Sequence, residues 1–260
     1  MIVTDGFMLF NLFAFVFGAA VGSFLNVCIL RLPERISIIR PGSRCPHCEK
    51  KIRFYDNIPL ISFFLLRGKC RNCGAKISWQ YPLVELISAL LCLVMFLKYG
   101  PTFKFLIFYL FTAVLIIITF IDLEHQIIPD VLTLPGIPLF FLLAVFVVKI
   151  SWLEALIGFL IGGGILWSIA FFYEFIAKRE GMGGGDIKLL AMIGGFLGWK
   201  SLIFILLFSS LFGAVIGISA MVVKGKDTKY AIPFGPFLSA AAVAYLFWGD
   251  GFMRVLLFRL

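Results

Sequence analysis

Apolar stretches recur at 7–30, 83–97, 103–121, 131–150, 153–177, 187–199, 200–223 and 231–248, with short polar segments between them. A helix needs about 20 apolar residues to cross a bilayer, and most of these runs approach that length. The pattern predicts an all-α polytopic membrane protein with about eight transmembrane helices. The run at 187–199 is short and glycine-rich, and is the least typical span. The tail at 252–260 is too short to cross alone. One larger polar segment, 31–82, interrupts the series between the first two runs. Three parts result: a first transmembrane helix at 1–30, an extramembrane segment at 31–82, and a multi-helix membrane domain at 83–260.

Composition supports the membrane reading. The 260 residues are 62% hydrophobic and 14% charged, whereas soluble domains are about half apolar and about a quarter charged. One soluble core of this size does not hold 31 phenylalanines. Met1 to Asp5 carries no Lys or Arg, so the first run lacks the basic start of a cleaved signal peptide and is read as a retained helix.

The net charge of +9 is expected to reflect cytoplasmic loops rather than a nucleic-acid partner, because the bases sit in short segments between helices. With 31–82 in the cytoplasm and eight spans threaded alternately, 17 of the 23 basic residues fall on the cytoplasmic side and six on the other. Arg179, Lys188, Lys226 and Lys229 belong to the cytoplasmic set, and Arg259 to the outer one. The positive-inside rule then places both termini outside.

About fifty residues at 31–82 cannot bury a large core, and domains of that size usually need a metal, disulfides or a docking surface. The segment carries Cys45-Pro-His-Cys48 and Cys70-Arg-Asn-Cys73. Two C-x-x-C pairs at this separation match a structural zinc site, in which four thiolates fill a tetrahedron and leave no position for water. A cytoplasmic address disfavours the alternative of two disulfides. Gly74 relaxes the turn after the second pair. His47 is read as a solvated neighbour of the metal, and Cys28 and Cys92, in apolar runs, as packing residues.

Two acids stand at membrane boundaries. Asp122 closes the run that ends at Ile121, and Asp186 closes Gly181-Met182-Gly183-Gly184-Gly185 and opens the next. The threading brings both carboxyls to the cytoplasmic face from different helices. Two carboxyls meeting near lipid suit an aspartic protease: they share one proton, the ionised member takes a proton from water, and the protonated member polarises the scissile carbonyl. The glycines before Asp186 would admit an extended peptide. Asp130, after Pro129, is read as a helix cap or dipole partner. Glu124 and His125 are read as headgroup contacts, Lys188 as an interfacial cation, and Gly162, Gly163 and Gly164 as close helix packing.

With these residues in place, the sequence resembles the type IV prepilin leader peptidases, aspartyl proteases of the membrane. The resemblance runs over nearly the whole chain: Gly22-Ser23-Phe24-Leu25-Asn26-Val27, Arg31-Leu32-Pro33, both C-x-x-C pairs, Asp56-Asn57-Ile58-Pro59, the Asp122 segment through Leu134-Pro135, and Gly183-Gly184-Gly185-Asp186-Ile187-Lys188-Leu189. It implies an inner-membrane enzyme that cuts the basic leader from type IV prepilins or pseudopilins on the cytoplasmic side, with Asp122 and Asp186 as the catalytic pair. It also implies N-methylation of the new terminus with S-adenosylmethionine, a property that no separate motif in the chain carries. A prepilin's hydrophobic stem would lie in lipid against the enzyme's helices. Glu49, Asp56 and Glu124 are the acids nearest to hand for its basic leader.

Three alternatives compete with this reading: a protease without methyl transfer, a cation-coupled transporter with intramembrane acids, and a zinc-bearing membrane receptor without chemistry. The clustering of both acids at one face weakens the transporter.

Overall fold

The computed structural model describes residues 2–178, 183–224 and 233–258, and the regular elements among them are helices accompanied by two isolated β-bridges. Arg179, Gly181, Met182, Lys226, Lys229 and Arg259 lie outside these residues. The α-helices are α1 (Ile2–Arg31), α2 (Ile61–Leu65), α3 (Gln80–Tyr99), α4 (Phe103–His125), α5 (Asp130–Leu143), α6 (Trp152–Ala177), α7 (Gly184–Leu197), α8 (Trp199–Lys224) and α9 (Gly235–Phe258). Each of the eight apolar runs has its helix, and α2 is an addition within the polar segment.

Among the described residues, six helices are long and apolar enough to cross a membrane: Met8–Arg31, Gln80–Tyr99, Phe103–His125, Asp130–Val148, Trp152–Ile176 and Trp199–Ser219. The protein is a multi-pass membrane protein. The fourth of these stretches changes character along its length, since α5 carries Pro135 and Pro138 and passes into a π-helical turn at Ala144–Val148. Among the eight expected spans α7 is short, with 14 residues, and α9 has 24, of which Gly235–Gly249 form a continuous apolar stretch.

The chain divides into two compact units, Met1–Ile117 and Ile118–Leu260. In the first, α1 packs against α3 through small residues. A Cβ on Gly18 would come within 2.5 Å of Cys92 Cβ, and one on Gly22 within 2.7 Å of Glu85 Cα. Hydrogen bonds reinforce the seam: Ser88 Oγ lies 2.7 Å from both the Gly18 carbonyl oxygen and Tyr109 Oη. Between helices in lipid, close packing and such bonds take over from the hydrophobic effect. Cys28 and Cys92 are buried, as their packing role requires.

In the second unit α7 packs against α5, α6, α8 and α9. Every residue from Leu189 to Leu197 is buried, so this short helix is solvated by protein rather than by lipid. Its apolar character needs no span-length run for that reason. The α6–α7 seam is a backbone contact: a Cβ on Gly158 would meet the Gly194 carbonyl oxygen at 2.1 Å, and one on Gly162 the Leu190 oxygen at 2.5 Å. The expected packing role therefore fits Gly162, extends weakly to Gly163, 3.3 Å from Ala191 Cβ, and does not reach Gly164, which has nothing within 4 Å.

Candidate active site and metal centre

Asp122 occupies the last turn of α4 and is 5% exposed. Its Oδ2 accepts the backbone N–H of Gly235 at 3.0 Å. Gly235 opens α9, where N–H groups lack partners within the helix and the helix dipole favours negative charge. The contact demands glycine: a Cβ on Gly235 would stand 2.7 Å from Asp122 Oδ2 and 3.1 Å from Ile128 Cδ1.

Asp186 lies in the first turn of α7. Its Oδ1 is buried and has no hydrogen-bond partner among the described residues, and its carboxyl is near enough to that of Asp122 for their charges to act on each other. The two acids stand on different helices, α4 and α7, within the second unit. Ile128 joins their supports, because a Cβ on Gly185 would lie 2.8 Å from Ile128 Cβ. The narrowness of Gly185 is thus used by the chain itself, while a Cβ on Gly183 or Gly184 would meet nothing within 4 Å among the described residues.

Neighbouring residues take up other positions. Asp130 opens α5, with Pro129 as the cap residue before it, and puts an acid in the first turn of the helix. It also pairs with Lys188, whose Nζ lies 2.6 Å from Asp130 Oδ1. Lys188 is therefore a tie between the starts of α5 and α7 rather than a free cation. Glu124 and His125 are exposed. Gly235 and Ile128 were not singled out by the sequence reading. The only local hint was Pro233-Phe234-Gly235-Pro236, whose prolines mark a helix start.

The sulfurs of Cys45, Cys48, Cys70 and Cys73 lie within 4.8 Å of one another. Cys45 Sγ and Cys73 Sγ are 3.8 Å apart. A tetrahedron with zinc–sulfur bonds of about 2.3 Å has edges of about 3.8 Å, so the set fits a metal ion such as zinc. His47 is exposed and stands outside the cluster.

Both halves of this site share one plan. Isolated bridges pair Arg44 with Lys51 and Lys69 with Lys76. The Cys45 N–H donates to Lys50 O at 3.1 Å and the Cys70 N–H to Ala75 O at 2.8 Å. The fourth residue after each leading cysteine is left-handed, Glu49 at φ 53 and Gly74 at φ 71. Backbone N–H groups of Cys73 and Asn72 hold the Cys70 thiol down at about 6. At Cys73 the Ala75 N–H acts downward too, but desolvation and the three neighbouring thiols outweigh it and push the thiol up to about 11. Four thiolates this close need a cation among them.

The segment is tied to itself and to α3. Arg71 Nε and Nη2 grip Asp56, the shortest contact being 2.6 Å. That bidentate grip holds the Asp56 carboxyl below its usual range. The Leu60 N–H donates to Glu85 Oε2 of α3 at 2.7 Å, and beside it Asn26 Nδ2 of α1 donates to Tyr81 O of α3 at 3.0 Å.

Comparison with known proteins decides the lineage. Residues 16–99 match the bacterial peptidase A24 N-terminal domain, and residues 109–218 match the type IV leader peptidase family. The chain belongs to the type IV leader peptidase family. A relative from Aeromonas hydrophila, named prepilin leader peptidase/N-methyltransferase, is 41% identical over 92% of this chain and 91% of its own. Proteins of the same name from Stutzerimonas stutzeri and Pseudomonas aeruginosa are 39% and 37% identical, over 93% and 95% of this chain and 91% and 93% of theirs. No solved structure matches the chain. For a leader peptidase the matched regions are apt: the first contains the four clustered cysteines, and the second contains Asp122 and Asp186.

Proposed function

We propose that this chain is a prepilin leader peptidase and N-methyltransferase of the bacterial inner membrane, cutting at Asp122 and Asp186 on the cytoplasmic side. The observation that carries the peptidase site is the pair itself. One buried carboxyl takes an N–H from a helix start, and its neighbour keeps a buried oxygen without a partner. The names and identities of its relatives support prepilins as substrates. The excess of bases in the 31–82 segment and the other inner loops supports the cytoplasmic orientation.

The roles divide by hydrogen bonding. The Gly235 N–H and the α9 dipole favour negative charge on Asp122, which takes a proton from the attacking water. Asp186, with no donor on Oδ1, holds the shared proton and gives it to the scissile carbonyl oxygen. The tetrahedral intermediate then collapses, the new amine leaves with a proton, and the pair returns to its starting state. Gly183 and Gly184 leave room for the extended substrate backbone beside Asp186.

Zinc held by Cys45, Cys48, Cys70 and Cys73 is structural, because four thiolates fill its coordination. It stabilises the 31–82 segment as a domain too small to fold on its apolar core. Methyl transfer to the new amine, with S-adenosylmethionine as donor, is carried over from the family without residues assigned to it. The testing experiment is incubation of purified protein, in detergent, with a model prepilin and labelled methyl donor. A shortened pilin bearing label is expected. An uncut precursor with a folded enzyme overturns the proposal.

A further inference from the structure

The 31–82 segment carries an apolar face that neither the metal nor the aspartates explain. Helix α2 has its orientation fixed from within. Ser62 is buried, donating to Tyr55 O at 2.9 Å and accepting the Ile58 N–H at 2.9 Å. The opposite side presents Ile61, Phe64 and Leu65, a set at i, i+3 and i+4 that shares one face. These side chains are 56%, 63% and 74% exposed.

The height of α2 along α3 is also fixed. Its cap residue Leu60 donates its N–H to Glu85, which lies in the second turn of α3 and within the Gln80–Tyr99 span. Phe63 packs against Trp79, the residue that caps α3, with ring centroids 4.7 Å apart and planes tilted by 57°. From Trp79 an exposed stripe runs up α3 through Leu83, Leu86, Leu90, Val94 and Leu97, at the helical spacing of a lipid-facing surface. The apolar face of α2 thus continues that stripe at its lower end, where tryptophans gather at the membrane interface. Exposed Arg67, Lys69 and Lys76 follow α2 in the chain.

We infer that α2 is an interfacial anchor: Ile61, Phe64 and Leu65 sink into the headgroup–acyl boundary of an anionic bilayer, and Arg67, Lys69 and Lys76 meet its phosphates. Short amphipathic segments with bases beside the apolar face bind such surfaces through buried apolar area and charge together. The consequence is that the metal-bearing segment lies down on the membrane beside α3.

The test uses the full chain in nanodiscs of phosphatidylethanolamine and phosphatidylglycerol. A spin label is placed through an unnatural amino acid at Phe64 or Leu65, which leaves the metal cysteines untouched. Collisional relaxation by oxygen, which prefers lipid, is compared with that by a water-soluble nickel chelate. Leu83, exposed near the α2 end of α3, is the boundary-lipid reference and Lys50 the water reference. Labels at Phe64 and Leu65 should match Leu83 in their ratio of oxygen to nickel accessibility. A match to Lys50 overturns the inference, and so does protection from both reagents, which means a protein surface covers α2. The double variant F64D/L65D, with its bound metal checked, should move a label at Ile61 from the Leu83 class to the Lys50 class. An Ile61 label that stays in the Leu83 class while the metal is retained also counts against the anchor.

Discussion

The carboxylate of Asp122 and the backbone N–H of Gly235 are 3.0 Å apart across 113 residues of sequence. The bond places a helix start against an acid buried at the end of another helix. A side chain at Gly235 would displace that acid, since its Cβ would fall 2.7 Å from Oδ2. Gly235→Ala is therefore expected to lower prepilin cleavage by about 10²-fold, the scale of a misplacement of about 1 Å at a reacting group. Gly251→Ala, at a glycine with nothing within 4 Å, should leave cleavage rates unchanged in the same assay.

Asp122→Asn and Asp186→Asn should each reduce cleavage to background while the protein stays folded in the membrane, because one carboxyl cannot serve as both base and acid. Asp130→Asn removes an exposed pair with Lys188, a class of contact worth up to about 1 kcal/mol. It should keep most of the activity. Turnover of purified variants on a model precursor measures all three, and wild-type rates in either Asn variant of the pair would refute the assignment.

Cleavage and methylation should separate. Methyl transfer needs a neutral amine held in line with the donor methyl and no carboxylate pair. Asp122→Asn is expected to label a pre-cut pilin with methyl groups while failing on the intact precursor. Two substrates with one labelled donor measure this, and loss of labelling on the pre-cut pilin in a folded variant would contradict independent sites.

Purified, reduced protein should contain about one zinc per chain. Cys73→Ser should lower the content and loosen the 31–82 segment, read as faster amide exchange there. Exchange in α3 and α4 should change little, because membrane helices satisfy their own backbone groups. Metal analysis without zinc in chelator-free protein would exclude the site.

The Asp56–Arg71 pair adds a pH dependence. Arg71 holds the Asp56 carboxyl below its usual range, so the unfolded segment binds a proton more readily than the folded one. The resulting stability is present above the unfolded pKa and lost as pH falls through the folded one. Thermal unfolding of the segment should show a smaller gap between wild type and Asp56→Asn as the medium is acidified below the ordinary carboxylate range. A gap that widens on acidification would reverse the sign and the explanation.

Much of this arrangement was legible in the chain. Apolar runs marked the helices, and cysteine spacing marked the metal cluster, because both signals are local. Asp122 and Asp186 could be paired because alternate threading puts both at one face. Gly235 was invisible, since its value lies in an N–H aimed at an acid 113 residues away. Asp130 and Lys188 were read separately for the same reason: their ion pair exists only once α5 and α7 start side by side. The shortness of α7 looked anomalous for a span, and is ordinary for a helix surrounded by others.

Gly158 and Gly194 bring the α6 and α7 backbones together with no room for a methyl group. That seam is shut to visitors. A hydrophobic stem gliding through lipid finds no gap between α6 and α7 to slip into, and nothing short of parting the two backbones would make one. Under the proposed function a prepilin approaches Asp186 along another flank, and the α6–α7 side stays a closed wall.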